Sequence, residues 1–307
     1  MSPTAAMRVL AAASSVVAMA VAAPLAHRHA ACAGESLVSC VAACPSAPLP
    51  FEECRGSCNA ACPKPESALF IGNSLTFWNG GTENIVQGLA SAAGYDLQVA
   101  ECTIGGATLG TLWRRTAPVN RCTVGSTPRG AIETGDFDVV IMQEDMPELT
   151  PRTIPEGIEP FYEYARLFTE QITEVGSAPL FYMTWAFQRL NWITQEEISG
   201  AHAEMWRELG VNSAPAGDSF VLAEDSYPGR WNFLSNDREH QSWSGSYISS
   251  CCIFAQLYGE SPVGLEYVPS GSGLSQEEAV AMQRIAWEAV QLWNAGGRDA
   301  AEGPGQL

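Results

Sequence analysis

From residue 67 onward the chain alternates short apolar runs with amphipathic stretches, and that alternation limits what it can fold into more than any other feature. The runs at 68–71, 97–100, 138–143 and 180–184 are brief and rich in β-branched or aromatic residues, the texture of strands buried on both faces of a parallel sheet. The stretches 83–93, 160–175, 195–209 and 276–294 carry apolar residues at helical spacing. Two of them open on a capping box, Thr194-x-x-Glu197 and Ser275-x-x-Glu278, in which side chain and backbone satisfy each other's free N–H groups. The pattern predicts an α/β domain with a mainly parallel sheet over 67–295, followed by a polar, Gly-rich tail at 296–307.

The chain before that domain has a different texture. Arg8 precedes an uncharged run of small and apolar residues at 9–23, too short for the roughly 20 residues that span a bilayer and followed by small-x-small sites such as Ala20-Val21-Ala22. A signal peptide over 1–23 is the expectation, with a secreted, extracellular product and no membrane attachment after cleavage; an uncleaved anchor is the other reading. Ten cysteines suit an oxidising compartment, and six of them crowd into 32–62, a segment too short to build a core of its own. There Cys40-x3-Cys44 and Cys54-x3-Cys58 flank the turn-forming residues 45–50, and four-residue spacing puts both thiols of each pair on one helix face. Two short antiparallel helices cross-linked Cys40 to Cys58 and Cys44 to Cys54 are expected, with Cys32 and Cys62 closing the base. Fifteen connectivities are open to six cysteines, and a metal site is the rival reading. Cys102 and Cys122 are candidates for a further bridge, while the adjacent Cys251 and Cys252 cannot easily face one partner.

Charge excludes a class of partner. Sixteen basic residues stand against 34 acidic ones, a formal charge of −18, and Lys64 is the only lysine, so nucleic acid would be repelled. No partner for the cysteine-rich hairpin can be named from its residues.

Chemistry concentrates in two places. In Leu69-Phe70-Ile71-Gly72-Asn73-Ser74 an apolar strand runs straight into a polar turn, where open α/β sheets collect their functional groups. Ser74 there is either a nucleophile or, with Asn73, a plain helix cap. A nucleophilic serine needs a base, and histidine is scarce: His27 and His29 sit beside the leader, and His202 lies within an amphipathic helix where a structural role suits it. His240 closes Asp237-Arg238-Glu239-His240, and an Asp three residues before a His can reach its Nδ1–H and fix the tautomer whose Nε2 faces a serine. The nucleophile-elbow pattern Gly-x-Ser-x-Gly occurs nowhere.

Gly72-Asn73-Ser74-Leu75 and Asp237-x-x-His240, in that order, resemble blocks I and V of the SGNH (GDSL-like) hydrolases over roughly 67–295. The resemblance implies a flavodoxin-like three-layer α/β/α sandwich behind the stapled hairpin. It implies an ester hydrolase working through an acyl-enzyme without a cofactor or metal, with Ser74 as nucleophile, His240 as base and Asp237 as orienter. Block II matches Ile104-Gly105-Gly106-Ala107-Thr108, which implies Gly106 N–H as an oxyanion donor beside Ser74 N–H. The usual Gly-x-Asn-Asp of block III is replaced by Met142-Gln143-Glu144-Asp145, similar to carbohydrate-esterase and sialate-acetylesterase branches, and this implies Gln143 as third donor. Gln241 stands where many relatives carry proline, a departure expected to loosen the loop. Trp78 and Trp185, beside strand ends, are candidates for stacking on a sugar ring, core packing being the alternative. The expected substrate is a small-molecule or polysaccharide ester, an O-acetylated carbohydrate before a lipid or aryl ester. A non-catalytic binding protein on a degenerate domain is the rival.

Overall fold

The computed structural model describes residues 36–44, 48–135, 137–152 and 157–297. The signal-peptide reading, Cys32 and most of the expected tail lie outside the described residues. Two helices come first, α1 (Leu37–Ala42) and α2 (Pro48–Ala61). The domain then runs β1 (Ser67–Gly72), α3 (Ser74–Phe77), α4 (Thr82–Ala92), β2 (Gln98–Thr103), α5 (Leu109–Trp113), α6 (Pro128–Glu133), β3 (Val139–Met142), α7 (Glu159–Glu174) and β4 (Ala178–Met183). It ends with α8 (Gln195–Leu209), β5 (Ser213–Pro215), α9 (Ala216–Ser226), α10 (Trp243–Tyr258) and α11 (Gln276–Leu292).

All five strands are parallel, in the order β2-β1-β3-β4-β5. This is the doubly wound, flavodoxin-like order, whose direction reverses between β1 and β3; ligands of such sheets sit beyond the carboxyl ends of the strands at that point. The central strands are apolar throughout and buried, from Ala68 to Ile71 in β1 and Val139 to Met142 in β3. That is why they read as unbroken runs rather than alternations. Both expected capping boxes form, on α8 and α11. The fifth strand, three residues ending on Pro215 at a sheet edge, is one the sequence did not signal; it has no apolar run, and Pro is tolerated there because an edge need not donate.

Helix α10 is buried from Gly245 to Tyr258, which makes it a central rod packed against α4, α9, α11 and β5. Cys251 and Cys252 lie within it as buried free thiols. Its carboxyl end is where the stapled hairpin docks. Cys40–Cys58 and Cys44–Cys54 bridge α1 to α2, Cys62 is also disulfide-bonded, and Cys102 joins Cys122. The sulfurs of Cys44, Cys54 and Cys58, the cluster that could have held a metal, are thus engaged in bridges. From α2, Arg55 and Asn59 donate to the Gly259 carbonyl, and Lys64 donates to Tyr258 O at 2.9 Å and to Glu260. Cations on the last carbonyls of a helix satisfy groups that have no intrahelical partner and complement its dipole. Gly259 is in the left-handed region (φ 60°), and a Cβ there would meet Asn59 Oδ1 at 2.5 Å, so only glycine both ends the helix and admits the hairpin. Among the described residues no helix is long and apolar enough to cross a membrane.

Candidate active site

The site begins where β1 ends. Asn73 is the N-cap of α3, its Oδ1 accepting from Leu75 N–H at 2.9 Å, so Ser74 becomes the first helical residue and its own N–H has no intrahelical acceptor. The capping and nucleophile readings of this turn are therefore compatible: Asn73 caps, and Ser74 is presented.

His240 arrives on a turn between Leu234 and Gln241, which pair across an antiparallel bridge. Asp237 folds the turn by accepting Glu239 N–H and His240 N–H on Oδ1, each at 3.0 Å, with Arg238 at φ 58°. Its other oxygen lies 2.8 Å from His240 Nδ1, and His240 Nε2 lies 2.7 Å from Ser74 Oγ. The three sequence-predicted residues are thus joined in one hydrogen-bonded chain across 166 residues of sequence. Burial is the largest single influence on the Asp237 carboxyl and raises it, but the hydrogen bonds from Glu239 N–H, the His240 ring and His240 N–H together outweigh it and hold the group below the usual carboxylate range.

Gly106 lies in the exposed β2–α5 loop at φ 64°, a conformation that strains any side-chain-bearing residue, and its N–H has no acceptor among the described residues. Gln143 is placed elsewhere than expected. It is 1% exposed, its Oε1 accepts from Asn73 N–H at 2.8 Å and Thr76 Oγ at 2.9 Å, and its Nε2 donates to Glu144 O at 2.6 Å. It is a strut buried beneath the Ser74 turn, with its carbonyl oxygen on Asn73 and Thr76 and one of its two N–H groups on Glu144 O, rather than a group at the surface where a substrate carbonyl would lie. Its two successors tie down the neighbouring loops. Glu144 accepts Leu109 N–H at 2.9 Å and Asp145 N–H at 2.6 Å, and complete burial raises its carboxyl well above the usual range. Asp145 accepts from Asn73 Nδ2 at 2.8 Å; burial raises it too, against the lowering effect of that bond. Three consecutive residues after β3 therefore hold the β1 and β2 loops at the switch point. Sequence reasoning missed Asn73, Glu144 and Asp145 in this role, although a run of polar residues straight after a buried strand was a visible signal.

Two further expectations are corrected. Gln241 tightens the loop: it is fully buried, its Nε2 donates to Leu75 O at 2.8 Å, and its carbonyl accepts from Asn79. Trp185 is 2% exposed, stacks on Phe220 at 4.8 Å and donates from Nε1 to Glu239 O at 2.9 Å. It is a buttress behind the His240 turn and has no free face for a sugar. Beside it Arg189 pairs with Glu239. Trp78 remains at the surface, 36% exposed, with its ring stacked on His240. His202 is buried, bonded to Ser213 through Nδ1, and desolvation lowers it to about 3, which leaves it a neutral core residue.

The five-stranded parallel sheet in this order, flanked by helices, has the fold of the SGNH hydrolases. Two solved structures show what the chain is similar to. One is a DUF4886 family protein from Bacteroides uniformis, 21% identical with a TM-score of 0.57, covering 73% of this chain and 94% of its own. The other, from Slackia heliotrinireducens and provisionally described as an SGNH hydrolase, is 19% identical with a TM-score of 0.50, covering 62% of this chain and 98% of its own. No family model and no curated protein matches the chain.

Proposed function

We propose that this chain is an exported serine ester hydrolase. The observation that carries the reading is the continuous relay from Asp237 through both nitrogens of His240 to Ser74 Oγ, at 2.8 and 2.7 Å. An acid, a base and a hydroxyl at hydrogen-bond distance, each oriented by the next, are what activation of a weak oxygen nucleophile requires. In the reaction, the Ser74 O–H bond breaks as Oγ attacks the ester carbonyl, the proton passes to His240 Nε2, and the carbonyl electron pair moves onto oxygen. The Ser74 and Gly106 N–H groups stabilise that oxyanion. Collapse expels the alcohol, which takes the proton from His240, and leaves an acyl-serine; water activated by the same imidazole then releases the acid. Asp237, kept ionised, holds Nδ1–H throughout.

The substrate class we propose is an O-acetylated carbohydrate, supported by the exposed outer face of the Trp78 indole beside the base, which can stack on a pyranose ring. An aryl or lipid ester is the second reading, since the same face accepts an aromatic ring. Export is supported by the disulfides of the hairpin.

The test is hydrolysis of p-nitrophenyl acetate by the wild type and by Ser74→Ala, with fluorophosphonate labelling of both. Turnover and labelling by the wild type alone are expected. A folded wild type that neither turns over nor labels would leave the non-catalytic binding protein as the reading.

A further inference from the structure

Trp78 is the C-cap of the short helix that begins with Ser74, so one five-residue segment delivers both the hydroxyl and an aromatic wall. The indole lies nearly parallel to the His240 imidazole, with ring centroids 4.1 Å apart and planes at 20°. The imidazole is then held at Nδ1 by Asp237, at Nε2 by Ser74 and across one face by Trp78. An aromatic face carries negative quadrupolar charge and attracts a cation more strongly than a neutral ring. As general base, His240 gains positive charge when Ser74 gives up its proton. An interaction that strengthens at that moment raises kcat, whereas one equally strong throughout does not.

We propose that Trp78 is a positioning residue for His240, whose indole face fixes the plane of the ring and steadies the imidazolium formed during attack by Ser74. The proposal rests on Ser74 and His240 being nucleophile and base, and it assigns the inner face of Trp78 a task separate from any stacking of substrate on the outer face.

The experiment compares wild type, Trp78→Phe and Trp78→Leu on p-nitrophenyl acetate, which has no sugar, and on glucose pentaacetate. The carboxylates and guanidinium set around the loop, Asp237, Glu239 with its partner Arg189, and Asp145, stay in place in every variant. With p-nitrophenyl acetate, Trp78→Leu should lower kcat by about 3- to 30-fold, the range of a cation–π contact, with KM little changed. The acid limb of its kcat/KM profile should move to lower pH, and Trp78→Phe should recover part of both effects. A kcat and acid limb unchanged in Trp78→Leu, with KM rising only for the acetylated sugar, would overturn the proposal and leave Trp78 as a substrate platform. Loss of shape is controlled by fluorinated tryptophans placed at this position alone, which weaken the quadrupole without changing the ring: kcat should fall stepwise with fluorine number, and a flat series also overturns the proposal. Failure of the underlying hydrolase reading looks different, because then Ser74→Ala would match the wild type.

Discussion

At the scale of single residues, the His240 turn is built by Asp237 before Asp237 does anything to the imidazole, since the same carboxylate accepts two backbone N–H groups and the ring. Asp237→Asn should therefore lower kcat toward p-nitrophenyl acetate by about 10²- to 10⁴-fold, because an amide presents the wrong group to Nδ1. Gly106→Ala places a Cβ on a left-handed backbone and should cost about 1–2 kcal/mol in urea denaturation, with a fall in kcat of about 10- to 100-fold as the N–H proposed to meet the oxyanion is displaced. The residues proposed to bear the chemistry were legible in sequence because local rules bring them together: a strand end presents Ser74, and Asp-x-x-His closes on itself. The residues that hold them were not, because Gln143 and Trp185 act through partners 70 and 54 positions away. A glutamine after β3 reads as an oxyanion donor until the structure buries it under Asn73 and Thr76, and a tryptophan at a strand end reads as a rim residue until Phe220 covers its face.

At the scale of elements, α4 opens on a buried acid. Glu83 is pushed up to about 7, first by burial and further by Glu101, against the lowering effects of its own backbone N–H and of Arg121. Its folded-state pKa lies above the unfolded value, so the folded chain holds the extra proton between about pH 4.5 and 7, and stability falls as pH rises through that window. Glu83→Gln should remove this slope: its stability relative to wild type should be greater at pH 8 than at pH 4 by up to about 3 kcal/mol, read from urea midpoints. His202 on α8 works in the opposite sense. With its folded pKa depressed to about 3, the unfolded chain binds the proton first, and stability is lost as pH falls below about 6.5. His202→Gln should flatten the melting temperature between pH 6.5 and 3 relative to wild type. Elements with a strong period or cap, such as α8 and α11, were found within a residue or two. The rod α10 has no polar face to give it a period, and β5 is three residues of Ser, Ala and Pro, so its place at the sheet edge follows from pairing with β4 alone.

Across the whole molecule, the hairpin and the domain form one body through the end of α10. Opening Cys40–Cys58 with Cys40→Ser/Cys58→Ser should cost about 3 kcal/mol, since that bridge closes a loop of 18 residues, and should lower the melting temperature of the whole domain in a single transition. Two separate transitions would show that the hairpin folds apart from it. The hairpin's bonds to Tyr258 and Gly259 also carry a consequence for biosynthesis. The last carbonyls of α10 are capped from a hairpin whose two helices the disulfides tie together, and the other end of that rod continues from the His240 turn. Oxidation of the hairpin would thus complete the end of α10 as well as the appendage itself, and reduction should loosen the two together.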